Sequence, residues 1–493
     1  MSDKGNIKIK DQTTLKEKLS YSIGTLGKEI SFGMINVYSM LYLTSFMGLN
    51  GIVVGFAFCI VRLLAAIFDP LMATIVNNTK SPLGKFRPWL LVGAIINSII
   101  LIVMFLPLPD GTGMPIKYVF YLAMYFLWAI SYAVIDVPIM GMVPSIADTP
   151  HERESVSSLS RLIGGFGGFI IGSGGAILMQ NSFGNTDYRS YLLVAGVGAI
   201  VLIVSLLLPI ITLKERYVLP CQTVKFRDMF KMLKNNDQMR SFAWSYLLFT
   251  IGGNIAILQS TYLFIYDSAN LGNFNNYALF NILACTVQGV AMIFYTWITK
   301  KISRDKVYKL TYLFAGIGMA FIFGIYFAFP GIGIPIVNVI LLSIAGSSLM
   351  LANGMNQITS MVMITDVVDY GEYKTGKRSD SLVISLQTLI LKASAAFAML
   401  ILGIGVAVSD LPTIDLMTNT FTGEVTDKAL FILRSFMFLL PLPLMPIGLI
   451  IYSRTYKLHG KYYSEIKKSI EERRIGKGFT QEEDSMPNEK IGG

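Results

Sequence analysis

Charge is scarce in this chain. Only 15% of its 493 residues are Asp, Glu, Lys or Arg, where soluble domains run near a quarter, and the mean hydropathy is +0.57. That scarcity excludes an ordinary water-soluble enzyme. Histidine is almost absent, and the three cysteines (Cys59, Cys221, Cys285) lack metal-ligand spacing, so neither a metal centre nor a disulfide framework is expected. There is no HExxH, no GxxxxGK[ST] loop and no GxSxG serine site, so the usual catalytic and nucleotide-binding signatures are missing. Without a nucleotide site, any active transport must draw on an ion gradient. The first 18 residues are polar and no small-residue cleavage site follows the first apolar run, which reads as no cleavable signal peptide.

Long apolar runs are what the chain has in abundance. They fall at 20–48, 51–77, 88–108, 118–147, 157–180 and 189–213, then at 241–267, 273–299, 307–329, 333–365, 381–408 and 430–453. Twelve spans of roughly 20 residues use about 240 residues, which leaves no room for a large extramembrane domain. The expectation is an all-α membrane protein with twelve transmembrane helices in two six-helix bundles, 20–213 and 241–453. A cytoplasmic N-tail (1–19), a basic amphipathic linker helix (214–240) and a cytoplasmic C-tail (454–493) complete it. The net charge of +10 would suggest nucleic acid in a soluble protein, but here the cations segregate. With the N-terminus inside, the inside tails and loops carry 32 of the 41 Lys and Arg, and the outside loops hold only Lys117, Arg189 and Lys428. Cationic loops stay cytoplasmic, so both termini are placed inside. The segments 144–161 and 363–392 share an acidic residue, a charged turn with serine and then a span carrying a cation, a pattern expected of a parallel duplication.

Ions inside the apolar runs are costly unless they pair or face a water-filled cavity. Those present are Lys28, Glu29, Arg62, Asp69, Asp136, Arg161, Lys392 and Arg434. Glu29, Asp69 and Asp136 set against Arg62, Arg161 and Lys392 would give three charge pairs in one cavity. Lys28 and Glu29, as neighbours, point about 100° apart on a helix and are not expected to share an orientation. The plain alternative is that such ions only staple helices, which suits Arg434 and Lys28 best. Glu29, Asp136 and Arg161 come from three spans of one half and suit a polyhydroxylated ligand: carboxylates accept from hydroxyls, and an arginine fork donates twice. The run GGFGGFIIGSGG (164–175) permits close helix approach or sliding.

The stretches SIGTLGKEISFGM (22–34), RLLAAIFDPLMATIVNNTKSPLGKFRPWLL (62–91), AVIDVPIMGMVPSIADTPHERESVSSLSR (133–161) and DVVDYGEYKTGKRSDSLVISLQTLILK (366–392) resemble the glycoside–pentoside–hexuronide:cation symporter family, nearly the whole chain being in register. The resemblance implies the major facilitator fold, a bacterial cytoplasmic membrane location, a small sugar or glycoside as the partner, no cofactor and a monomeric working unit. It implies that Glu29 (usually Asp), Asp136 and Arg161 bind sugar, with Lys392 and Gln357 also at the substrate, and that Lys392 and Thr388 lie near the cation site. The second-half aromatic of the sugar pocket is Gln357 here, which leaves the sugar's identity open. Lys28, Arg62, Lys85, Arg87, Asp366, Asp369 and Glu372 are expected as structural or gating charges, with the loops 84–89 and 369–378 parting at the inner face.

Sodium-using members place two Asp four residues apart on the second span. Here Asp69 stands alone, with Ala65 in the other place and Ala133 where the fourth span carries a hydroxyl. Sodium needs several hard oxygens, whereas a proton needs one carboxylate held away from water. Proton coupling through Asp69 and Asp136 is therefore the expectation, with sodium as the alternative. A lysolipid transporter on the same scaffold, or a sensor that keeps the fold without moving substrate, are the competing functions.

Overall fold

The computed structural model describes residues 13–109, 111–147, 149–216, 232–267, 271, 273–328, 335–376 and 380–476. Most of the N-tail, linker residues 217–231, Lys377 and Arg378 of the second gating loop, and the end of the C-tail lie outside these. The chain opens on α1 (Leu15–Met34), whose first turn is a capping box in which Thr14 and Glu17 satisfy each other's backbone. Two π-helical turns, Ile35–Ser39 and Tyr42–Phe46, carry it onward. Then come α2 (Gly51–Asn78), α3 (Arg87–Val103), α4 (Met114–Ile146), α5 (Pro150–Phe169) leading through a π turn into α6 (Ala176–Ser182), and α7 (Tyr188–Thr212). The second half holds α8 (Asp237–Tyr266), α9 (Phe274–Lys301), α10 (Arg304–Ala328), α11 (Pro335–Thr375), α12 (Asp380–Ser409), α13 (Asp427–Phe438) and α14 (Pro441–Thr455), followed by α15 (Gly460–Gly476). Among the described residues nine helical segments are long and apolar enough to cross a membrane.

Packing repeats between the halves. In the first, α1 lies against α5 and α7, α3 against α4 and α7, and α2 against α4. In the second, α8 lies against α12 and α14, α10 against α11 and α14, and α9 against α11. The same neighbours recur in the same chain order, as a parallel duplication of six-helix units requires. The cross-contacts repeat too: α2 packs on α12 of the other half, and α6 with its π turn packs on α9.

Two expected boundaries move. The apolar run 333–365 continues as helix to Thr375, so DYGEY (369–373) is helical rather than looped. Its polar turns find partners: Tyr463 of α15 donates to Asp369 Oδ2 at 2.9 Å, and Tyr370 donates to Asp237 Oδ1 at 2.9 Å. The run 430–453 is broken between Phe438 and Pro441, because proline supplies no N–H and crowds the preceding turn.

The core is not continuous. At the end remote from the termini one cluster draws on both halves, from Tyr38, Tyr42, Tyr121 and Tyr191 to Tyr262, Phe274 and Leu433. Its tyrosines are anchored at both ends, ring in the core and hydroxyl bonded: Tyr38 donates to Ile171 O at 3.0 Å, and Tyr42 to Phe105 O at 2.9 Å. Bonds cross the halves here. Tyr262 meets Thr44 at 2.7 Å, Tyr266 donates to Ser45 Oγ at 2.8 Å, and the Ile414 N–H donates to Ser45 O at 2.7 Å. At the end carrying the termini the apolar clusters stay separate, one in the first half and one in the second. Among the described residues the molecule is sealed at one end and parted at the other.

Backbone contact between α2 and α12 makes part of that seal. A Cβ on Gly403 would overlap the carbonyl oxygen of Gly51 and stand 2.8 Å from the Cα of Gly55. Gly403→Ala should therefore wedge the sealed end apart. Spin labels at Ile116 and Glu424, one on each half at that end, should report longer distances in the variant than in the parent; an unchanged distribution would remove this contact from the gate.

Candidate functional site

Six of the eight intramembrane ions, Lys28, Glu29, Asp69, Asp136, Arg161 and Lys392, lie between the seal and the parted end. Lys28 of α1 and Asp136 of α4 are both buried, and the ammonium lies 2.8 Å from Asp136 Oδ1 and 3.0 Å from Glu29 Oε1. The neighbours thus share a focus despite their angular offset. The four-carbon lysine stem reaches back across the gap that backbone geometry opens. Tyr132, one turn before Asp136, presents its ring 5.9 Å from the same ammonium, within cation–π range. This corrects the expected pairing: Asp136 is held by Lys28 rather than by Arg62, Arg161 or Lys392.

Asp69 of α2 meets Lys392 of α12, so this ion pair spans the two halves. Its second oxygen, Oδ1, is buried with no hydrogen-bond partner. Arg62 does not join the carboxylates. It stands two turns away from Asp69, roughly 10 Å along the axis, where Nε donates to Tyr125 Oη at 2.8 Å and the guanidinium also reaches Asn36. Asn36 lies in the first π turn, and such turns often mark functional places in helices. Arg161 of α5 is exposed to the open space between the halves, and its guanidinium donates to the sulfur of Met361 on α11. Thr388 lies one turn before Lys392 and is exposed, as is Gln357 on α11. Among these groups Lys28, Lys392 and Arg161 balance Glu29, Asp69 and Asp136.

A family model described as MFS/sugar transport protein matches residues 20–460. The chain belongs to that family. It is also similar to an uncharacterized symporter, YjmB, of Bacillus subtilis (24% identical, over 95% of this chain and 98% of that one) and to a lactose permease of Leuconostoc lactis (25% identical, over 93% and 72%). In fold it is similar to the inward-open xylose transporter XylE of E. coli, with a TM-score of 0.58 at 12% identity over 86% of this chain and 94% of that one. The matched family is the glycoside–pentoside–hexuronide:cation symporter type that the motifs implied, a family of transporters and not of enzymes.

The charges expected at the gates lie apart from these ions in this sugar transporter. The N–H groups of Lys85 and Phe86 donate to the Glu215 carboxylate at 2.7 and 2.9 Å, at the turn where GKFRPW leads into α3. Arg87 opens that helix, and its Nε is buried without a hydrogen-bond partner. Asp366 lies 3.7 Å from Arg304, Asp369 accepts from Tyr463, and Glu372 lies half-buried on the last turns of α11. Arg434 pins α13 to the fully buried carboxylate of Asp267 at 2.5 Å.

The glycine run acts on the site directly. Gly167 lets α5 pass α1 at Glu29: a Cβ there would lie 2.7 Å from Leu26 O and 2.9 Å from the Glu29 Cβ. Gly165 and Gly168, on the other faces, have open space around them. Gly167→Ala should push α1 aside and displace Glu29, costing about tenfold in substrate affinity, because such overlaps cost roughly 1–3 kcal/mol. Equilibrium binding of labelled glycoside tests this; unchanged affinity would detach Glu29 from the site.

Tyr132, Asn36 and Met361 were not singled out from sequence. Tyr132 falls one turn before Asp136 and was findable by helical spacing. The other two depend on a π turn and on a contact between halves.

Proposed function

We propose that the chain is a cation-coupled symporter that carries a glycoside, oligosaccharide, pentoside or hexuronide into a bacterial cell, driven by protons, as a monomer in the cytoplasmic membrane. The observation that carries this reading is the paired arrangement at mid-height: Glu29 and Asp136 clasping Lys28, beside an Asp69–Lys392 bridge between the halves. Sugar hydroxyls can take over acceptor oxygens that Lys28 now occupies, and can receive hydrogen bonds from the ammonium. Charged partners make each such bond strong, and Arg161 stands at the open side to close on the ligand.

The charge segregation supports cytoplasmic termini, and on that reading the end that is parted here faces inward. Alternating access then begins from the opposite state, with the sealed end open to the outside. A proton on Asp69 cancels the charge that holds Lys392 and loosens the bridge between the halves. Sugar engages Glu29, Asp136 and Arg161, and the halves rock to the arrangement seen here. Release of both to the cytoplasm restores the Asp69–Lys392 pair. An empty charged site is costly to enclose in a dry cavity, which ties closure to occupancy.

Uptake of a labelled panel of α- and β-galactosides, a xyloside and a glucuronide into vesicles tests this, with proton and sodium gradients imposed separately. Accumulation under the proton gradient alone is expected. Accumulation only with sodium would overturn the choice of ion and keep the symporter. No uptake of any sugar under either gradient would overturn the substrate class and favour a lysolipid.

A further inference from the structure

One basic groove lies away from the transport site and has no part in that cycle. It holds about 500 Å³ between the first turns of α8 and the end of α14, at the end carrying the termini, and is lined by Arg240, Trp244, Ile451, Arg454 and Lys457 together with Asp237. Arg240, Arg454 and Lys457 are exposed, and none of their side chains has an ion-pair partner among the described residues. The acid in the groove is already engaged: Asp237 Oδ1 accepts from Tyr370 at 2.9 Å and from Lys374 at 3.0 Å, and Oδ2 from Gln238 at 2.6 Å. The groove therefore presents an excess of positive charge.

Its depth is also defined. Asp237, Arg240 and Trp244 follow one another at helical spacing, so the indole sits about 6 Å further along the axis than Arg240. Trp244 is 55% exposed, and with Ile451 it gives the groove an apolar wall. Indoles favour the level where headgroups meet hydrocarbon. Cations one turn nearer water, an aromatic at the interface and an apolar wall below it fit one kind of molecule. We infer that this groove is a binding site for the phosphate headgroup of an anionic phospholipid, with an acyl chain running along Trp244 and Ile451. Guanidinium forks suit a phosphate diester, and basic pockets between spans on the cytoplasmic side are where such headgroups bind. Free phosphate could use the cations but not the apolar wall.

Native mass spectrometry of the full chain, with phosphatidylglycerol or phosphatidylcholine titrated into the micelles, tests this. A phosphatidylglycerol adduct is expected, about tenfold weaker in the Arg240→Gln/Arg454→Gln double variant and unaffected by millimolar inorganic phosphate. The Lys300→Gln/Lys301→Gln variant removes two exposed cations from the end of α9 and should bind as the parent does. Glycoside uptake by each variant reports that it is folded. Four results would overturn the site: no adduct in the parent, equal binding of phosphatidylcholine, equal loss in the α9 variant, or displacement by inorganic phosphate, which would mark a free-anion site.

Discussion

Asp136→Asn should abolish glycoside binding and uptake while the protein still inserts. Asn keeps the shape of the side chain but removes the charge opposite Lys28, leaving a buried ammonium with Glu29 as its carboxylate partner. A hydrogen bond to a charged group contributes roughly 1.5–3 kcal/mol. Losing one sugar contact while the lysine draws Glu29 to itself should lower affinity by about a thousandfold. Whether the pair serves as a staple or as a site is decided by a second variant, Lys28→Met/Asp136→Leu. Replacing a buried ion pair by apolar groups of similar size is often neutral or stabilising. If the pair only joins α1 to α4, the double variant should be stable and should transport. If it is the binding site, the double variant should be stable and inert. Transport by the double variant would end the site assignment.

Much of this arrangement was legible before any coordinates. Apolar runs gave the helices, because a membrane demands roughly 20 apolar residues per span. The expense of ions in hydrocarbon singled out Lys28, Glu29, Arg62, Asp69, Asp136, Arg161, Lys392 and Arg434. Pairing among them was not legible. Lys28 reaches Asp136 because a flexible stem can turn toward either neighbour, and no periodicity fixes a rotamer. Arg62 and Asp69 share a helix face, yet two turns separate them, and Tyr125 and Asn36 stand closer to the arginine. The helical state of DYGEY was obscured by its polarity. Its partners Asp237 and Tyr463 lie on α8 and α15, far away in sequence.

Asp69→Asn should separate sugar binding from sugar accumulation. Asp69 belongs to α2 and Lys392 to α12, so their attraction acts on the relation between the halves rather than on either half. At an effective dielectric near 20, two unit charges about 4 Å apart attract by about 4 kcal/mol. Removing such a term shifts a two-state equilibrium by about three orders of magnitude, enough to choose between the open ends. In the parent a proton removes it and deprotonation restores it, so the conformational balance follows the proton. In the variant the side chain is neutral at every pH, and the balance is frozen near its protonated setting. Glu29, Asp136 and Arg161 are untouched, so equilibrium affinity should stay within about threefold of the parent and lose its dependence on pH. Exchange of labelled for unlabelled sugar, which needs no net proton movement, should continue. Uphill accumulation under a proton gradient should vanish. Accumulation as steep as in the parent would mean that another carboxylate carries the proton, with Asp136 the first to test. Loss of binding and exchange together would make the Asp69–Lys392 bridge part of the scaffold rather than of the coupling.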